Sequence, residues 1–256
     1  IIDLSEESNQ PFGTVESRSW IVFNGELYNY IEVREELKKM GCRFHTNSDT
    51  EVVLQAYEYW GEDCLLRFNG MFAFAIWDER QQLLFCARDP LGIKPFYYIR
   101  NDKRFSFASE SAALADNDRS NLDNDSLYAY ILGMYVPREK SIYRGIKKLL
   151  PGTSLTVSRN GAFTEKKYWE LNNHSHSLVS AERAAEEIEK LLDDAVTLQL
   201  RSDVPVGTLL SGGFDSGLLV ALAAGKIESL HTYSIGFDSD EQLNELDVAR
   251  SLAARY

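Results

Sequence analysis

The sequence predicts an α+β domain of helices around antiparallel sheets, followed by the start of a parallel α/β unit. Two observations carry this. Short apolar runs of strand composition recur between Ser19 and Tyr168, interrupted by two helical stretches. After a polar segment the order changes to helix, strand, glycine loop, helix, strand, as found in parallel sheets. The 256 residues, 44% of them hydrophobic, suffice for one large core or two smaller ones.

Each element follows from local pattern. Ser19 to Phe23 is a strand-like run, and Asn24-Gly25 behind it has the composition of a tight hairpin turn. Tyr30 to Met40 reads as a helix stopped by Gly41. Ser48 to Trp60 reads as a second, with Ser48 and Glu51 spaced as a capping box. Met71 to Trp77 and Leu83 to Ala87 read as paired buried strands. Phe96 to Arg100 and Arg104 to Ser109 read as another pair. Ser126 to Leu149 is helical and irregular. Pro151-Gly152 marks a turn before a hairpin of Leu155 to Val157 with Ala162 to Tyr168. Leu171 to Ser180 has linker composition and separates domains at 1–172 and 181–256. Its His174 and His176 have no third ligand nearby and read as solvated. Ala181 to Leu200 is amphipathic, with Ala184, Ile188, Leu191, Leu192, Ala195 and Leu198 on one face. Val206 to Leu210 is a strand, Asp215 to Ala224 a helix, and His231 to Phe237 the next strand.

Charge narrows the function classes. Lys and Arg number 27 against 39 Asp and Glu, a net charge of −12 with no basic stripe, which argues against nucleic acid or anionic membrane as partners. The cysteines Cys42, Cys64 and Cys86 are odd in number and lack zinc-site spacing, so a reducing, cytoplasmic compartment is expected. No apolar run is long enough to span a bilayer. The chain opens at Ile1, with an apolar pair that reads as the inside of a strand, and stops at Tyr256, at the end of a helical pattern, so both ends are expected to be internal to a longer protein.

The sharpest motif is Ser211-Gly212-Gly213-Phe214-Asp215-Ser216, between an apolar strand and a helix. Two glycines let the backbone approach a ligand, and the helix N-terminus attracts an anion. Asp215 suits such a site if a magnesium ion bridges it to phosphates. The plain structural alternative is a turn with Asp215 or Ser216 as helix cap. The motif resembles the pyrophosphate loop of N-type ATP pyrophosphatases. The resemblance implies ATP contacts at Leu210, Ser211, Gly212, Gly213, Asp215, Ser216, Ile235 and Gly236. Phe214 stands where that family more often has Leu and is expected to point into the fold. Asn244-Glu245 resembles the start of a helix that often opens with Asp-Glu.

Five upstream segments resemble the class II glutamine amidotransferase domain of glutamine-hydrolysing asparagine synthetases, in that family's order. They are Ile1 to Leu4, Phe23 to Asn29, Ser48 to Glu51, Gly70 to Asp78, and Ala87 to Pro95. The resemblance implies an Ntn-type αββα sandwich followed by an ATP-pyrophosphatase domain. It gives Asn24 and Gly25 to an oxyanion hole, and Asn24, Glu26 and Asp49 to glutamine binding. Arg88 and Asp89 read as a structural ion pair. The family's nucleophile is an N-terminal cysteine; none of the three present fits, so it is expected before Ile1. The implied reaction uses glutamine, aspartate, ATP and Mg2+ to make asparagine through β-aspartyl-AMP, in a homodimer, with residues 1–256 alone inactive. The alternatives are a related amidotransferase or β-lactam-type synthetase acting on another carboxylate, and a non-catalytic protein built on the amidotransferase domain.

Overall fold

The computed structural model describes residues 1–13, 18–101, 104–115, 121–171, 179–236 and 245–256. They form two compact units, Asp3–Asn173 and His174–Tyr256, the latter including Ile1–Ile2. The linker histidines His174 and His176, together with Phe237 and Asn244, lie outside the described residues.

In the first unit the order is β1 (Ser19–Leu27), α1 (Tyr30–Lys39), α2 (Asp49–Trp60), β2 (Gly70–Asp78), β3 (Leu83–Arg88), β4 (Tyr97–Asn101), β5 (Arg104–Ala108), α3 (Asn124–Gly133), β6 (Ile146–Lys148), β7 (Thr153–Ser158) and β8 (Phe163–Lys167). One sheet runs β1-β2-β3-β7-β8 and the other β5-β4-β6, with antiparallel pairing throughout. Alternation along β2 assigns its two faces. Phe72, Phe74 and Ile76 join Leu37 of α1 and Leu54 of α2 in one core. Ala73 and Ala75 point the other way and meet Phe96, Tyr98 and Leu149 in a core between the sheets. Small side chains there let the sheets approach while the aromatics fill the gap, with Phe96 and Phe107 stacked at 5.4 Å. The unit is an α+β sandwich, with α1 and α2 on one outer face and a short 3-10 turn, Ser111–Leu114, beside β4 and β5.

Most of these strands and helices agree with the local pattern; β6, only three residues long, carries too little pattern to be read. Asn24-Gly25 is a correction. It is not a hairpin turn but the interior of β1, opposite Ala73 and Phe72 of β2. Glycine is required at 25 by packing: a Cβ there would lie 2.1 Å from the Met71 carbonyl oxygen. Gly41 does end α1, with φ of 95°. The capping box is half right. The Ser48 hydroxyl accepts from the Thr50 N–H at 3.0 Å. Glu51 turns away from the cap and accepts from the N–H groups of His45 and Thr46 and from the Thr46 hydroxyl, tying down the loop before the helix.

In the second unit, α4 (Ala181–Gln199) is capped by Ser180, and β9 (Gly207–Leu209), α5 (Phe214–Ala224), β10 (His231–Tyr233) and α6 (Leu246–Arg255) follow. β9 and β10 pair in parallel, giving the expected strand–helix–strand unit. Its core is small: Leu210, Val220 and Ala249 with Leu230 and Leu252. The expected apolar face of α4 is only partly used. Val196 is buried, but Ile188 and Leu191 are 56% and 70% exposed, uncovered by any described residue. No described helix is long and apolar enough to cross a membrane.

Candidate functional site

The free edge of β1 is the first place where backbone polarity is left over. The Phe72 N–H and C=O both bond residue 89, on the β3 side. Gly25 opposite Phe72 is therefore a non-hydrogen-bonded pair, and the odd residues of β1 aim their N–H groups outward. The Ile21 N–H donates to the Phe12 carbonyl at 2.8 Å. The Phe23 N–H donates to Gln10 Oε1 at 2.6 Å, and the Leu27 N–H to Asp49 Oδ2 at 2.9 Å. Gly25 has no such partner among the described residues. Its N–H is the open position in an otherwise filled row. Beside it, Asn24 Nδ2 donates one hydrogen to Ser109 Oγ at 3.1 Å, and no described residue takes the second.

Asp49 closes the same edge. It sits at the first position of α2 and is buried. Burial, followed by the charge of Glu26, raises its carboxyl to about 6, against the lowering effect of the bond from Leu27. Glu26 and Asp49 thus repel one another, and a cation between them would relieve both. The structure brings Asn24, Gly25, Glu26 and Asp49 to one strand edge. The capping pattern left Asp49 without a task; its bond to β1 supplies one.

Arg88 and Asp89 are a further correction. They do not form an ion pair; each organises backbone. The Arg88 guanidinium donates to the carbonyls of Gly92, Lys94 and Leu149, each at 2.7 Å. Fully buried Asp89 accepts from the N–H groups of Phe72, Leu91, Ile93 and Lys94. Together they hold the loop after β3. The three cysteines are free, and burial pushes each thiol up. None is a ready thiolate nucleophile.

The second group of candidates lies at the start of α5. The helix is capped by Gly213 without a side-chain bond, so neither Asp215 nor Ser216 is the cap. Ser216 instead accepts from the Ser211 N–H at 3.3 Å, lies 3.0 Å from Ser211 Oγ, and donates to the Gly213 carbonyl. This clasp closes the loop. Gly212 has φ of 85°, and a Cβ there would meet the Glu245 carbonyl at 2.9 Å. The first helical bond is Gly217 N–H to the Gly213 carbonyl, leaving the amides of residues 214, 215 and 216 outside the helix ladder. Phe214 does not point into the fold: it is 87% exposed, because the first turn of α5 stands clear of the small core. Leu210 is buried in that core. Its N–H donates to the Tyr233 carbonyl and its carbonyl accepts from the Ser234 hydroxyl. Ile235 and Gly236 are exposed beyond β10. Asp215 is exposed, and no group of three metal-ligating side chains occurs among the described residues.

Sequence reasoning missed Ser109 and Gln10. Both reach the β1 edge from distant segments, and neither position carries a local signal.

Two stacked antiparallel sheets presenting one open amide beside an asparagine define a class of α+β sandwich. The chain belongs to the glutamine amidotransferase domain family, whose model matches residues 1–169. Residues 187–256 match the asparagine synthase family. Asparagine synthetase [glutamine-hydrolyzing] 1 of Bacillus subtilis is 40% identical over 99% of this chain and 40% of its own length. Asparagine synthetase [glutamine-hydrolyzing] 3 of the same organism is 43% identical over 87% of this chain and 37% of its own. Amidase chry2 of Gibberella zeae is 30% identical, over 99% and 40%. The chain therefore spans about two fifths of the length of these relatives.

Proposed function

We propose that this chain is part of a glutamine-dependent synthetase that hydrolyses glutamine and uses the ammonia, with ATP, to convert aspartate to asparagine. The observation that carries the glutaminase half is the Gly25 N–H beside the second hydrogen of Asn24, neither with a partner among the described residues. When the side-chain amide of glutamine is attacked, its oxygen gains negative charge. Two preorganised donors would stabilise that charge where it forms. Glu26 and Asp49 would hold the α-ammonium of glutamine. The nucleophile would come from a part of the full-length protein outside these residues, since Cys42, Cys64 and Cys86 are unsuited.

The loop Ser211 to Ser216 fits a pyrophosphate. Three free helix amides and a cradle closed to side chains at Gly212 suit an anionic ligand. Residues Ser211, Gly212, Gly213 and Ser216 would hold the phosphates of ATP, and the backbone of Ile235 and Gly236 would lie beside its base. Asp215 is a lone carboxylate, which suits Mg2+ only when phosphate oxygens complete its shell. Bound ATP would supply the energy that makes a carboxylate reactive to ammonia.

The test gives full-length protein aspartate, glutamine, ATP and magnesium, and measures asparagine and AMP by mass spectrometry. Asparagine and AMP in equal amounts support the proposal. Glutamine hydrolysis without either product points to the second reading, an amidotransferase with another acceptor. No glutamine hydrolysis sinks both.

A further inference from the structure

We propose that Ser109 is a positioning residue for glutamine hydrolysis, holding the Asn24 carboxamide so that its second hydrogen faces the substrate. This rests on the proposed glutaminase function and goes beyond it by naming a residue outside the strand edge.

Asn24 lies on β1 of the first sheet, and Ser109 directly follows β5 of the second. Their hydrogen bond, 3.1 Å from Nδ2 to Oγ, crosses between the sheets. It is the one polar contact that fixes the Asn24 side chain among the described residues. A carboxamide with no partner rotates freely about its terminal bond, and rotation would turn its oxygen toward a developing negative charge. Donation of one Nδ2 hydrogen to Ser109 leaves the other on the same nitrogen, directed away. Both side chains line a cavity of about 210 Å³ whose other walls include Val22, Phe74, Phe96 and Phe107. Ser109 itself is exposed and packs in no core, so loss of its hydroxyl should leave the fold intact.

The experiment measures glutaminase kcat and KM of the full-length protein carrying Ser109→Ala, Ser109→Thr, Asn24→Ala, and Ser109→Ala with Asn24→Ala. Melting temperatures check the fold. Loss of one ordinary hydrogen bond predicts a kcat for Ser109→Ala reduced roughly tenfold, with KM nearly unchanged. Ser109→Thr, which keeps the hydroxyl, should restore most of the rate. In the Asn24→Ala background Ser109→Ala should cost nothing further, because the group it positions is gone. The proposal is overturned if Ser109→Ala leaves kcat intact, if Thr is as impaired as Ala, or if the loss persists in full without Asn24. Wild-type protein without glutaminase turnover would sink the function reading, and this inference with it. Normal wild-type turnover beside an indifferent Ser109→Ala sinks only the inference.

Discussion

The β1 edge and the loop at Ser211 to Ser216 both offer backbone N–H groups that no described residue uses, yet they hold them by different means. At the edge, the open Gly25 amide is fixed by distant parts of the chain: β2 packs against it, Gln10 and Phe12 fill the positions on one side, and Asp49 fills the other. A large core beneath makes this arrangement stiff. The loop is held by itself. Two serines five residues apart clasp it, one glycine bends it, and the core cluster below it is small, built on Leu210, Val220 and Ala249. The contrast teaches that equivalent donors can be preorganised globally or locally, and that the cost of disturbing them should differ accordingly.

The largest effect should come from Asp89→Ala. It strands four amides at once, one buried and three part-buried, and a loss of about 4 kcal/mol is expected in denaturant unfolding. A change below about 1 kcal/mol would mean that water replaces the carboxylate and that the first unit is less stiff than argued.

Next come the two glycines, which set one site directly against the other. Gly25→Ala drives a methyl into the Met71 carbonyl, between two paired strands that cannot part locally; about 3 kcal/mol should be lost. Gly212→Ala meets one carbonyl and a positive φ, in a loop that can shift; about 1 kcal/mol is expected. Equal melting shifts for the two variants would break the comparison.

Acidity should separate the sites by binding rather than by folding. Asp49 has its carboxyl raised to about 6, above the ordinary value of 3.8. The folded state therefore holds its proton more tightly, and this group adds stability as pH falls through 6 towards 4. Over the same window the charge offered to an ammonium disappears. KM for glutamine should rise below pH 6 while the contribution of Asp49 to melting does not fall; Asp49→Asn should flatten the KM profile. A KM that stays constant down to pH 5 would remove Asp49 from glutamine binding.

The smallest effect should be Leu191→Gln in this 256-residue chain. The side chain is largely exposed on α4, so the change should lie within about 0.5 kcal/mol. Leu54→Ala in the first unit should cost about 3 kcal/mol. A large loss at Leu191 would show that its face of α4 is covered.

The loop at Ser211 was legible because its parts are adjacent: two glycines, two serines and a helix start fall within six residues. What pattern got wrong there was Phe214, since exposure depends on what packs nearby. The edge was legible only through resemblance. Read alone, Asn24-Gly25 suggested a turn, and Ser48 to Glu51 a capping box. The turn reading failed because β2 comes back from far along the chain to extend β1. The box failed at Glu51 because the Ser48 N–H that it would have bonded donates to the Thr46 hydroxyl instead, leaving the carboxylate to the loop amides of His45 and Thr46.

The sequence by itself determined the elements, their order, and the change from antiparallel to parallel organisation, because these follow from local periodicity and turn chemistry. Tertiary structure alone decided which amide of β1 stays open, why position 25 must be glycine, what Asp49, Arg88 and Asp89 each hold, and that Ser109 reaches Asn24 from 85 residues away. Those facts depend on which strands become neighbours, and pairing between distant segments leaves no trace in the short-range pattern of either one.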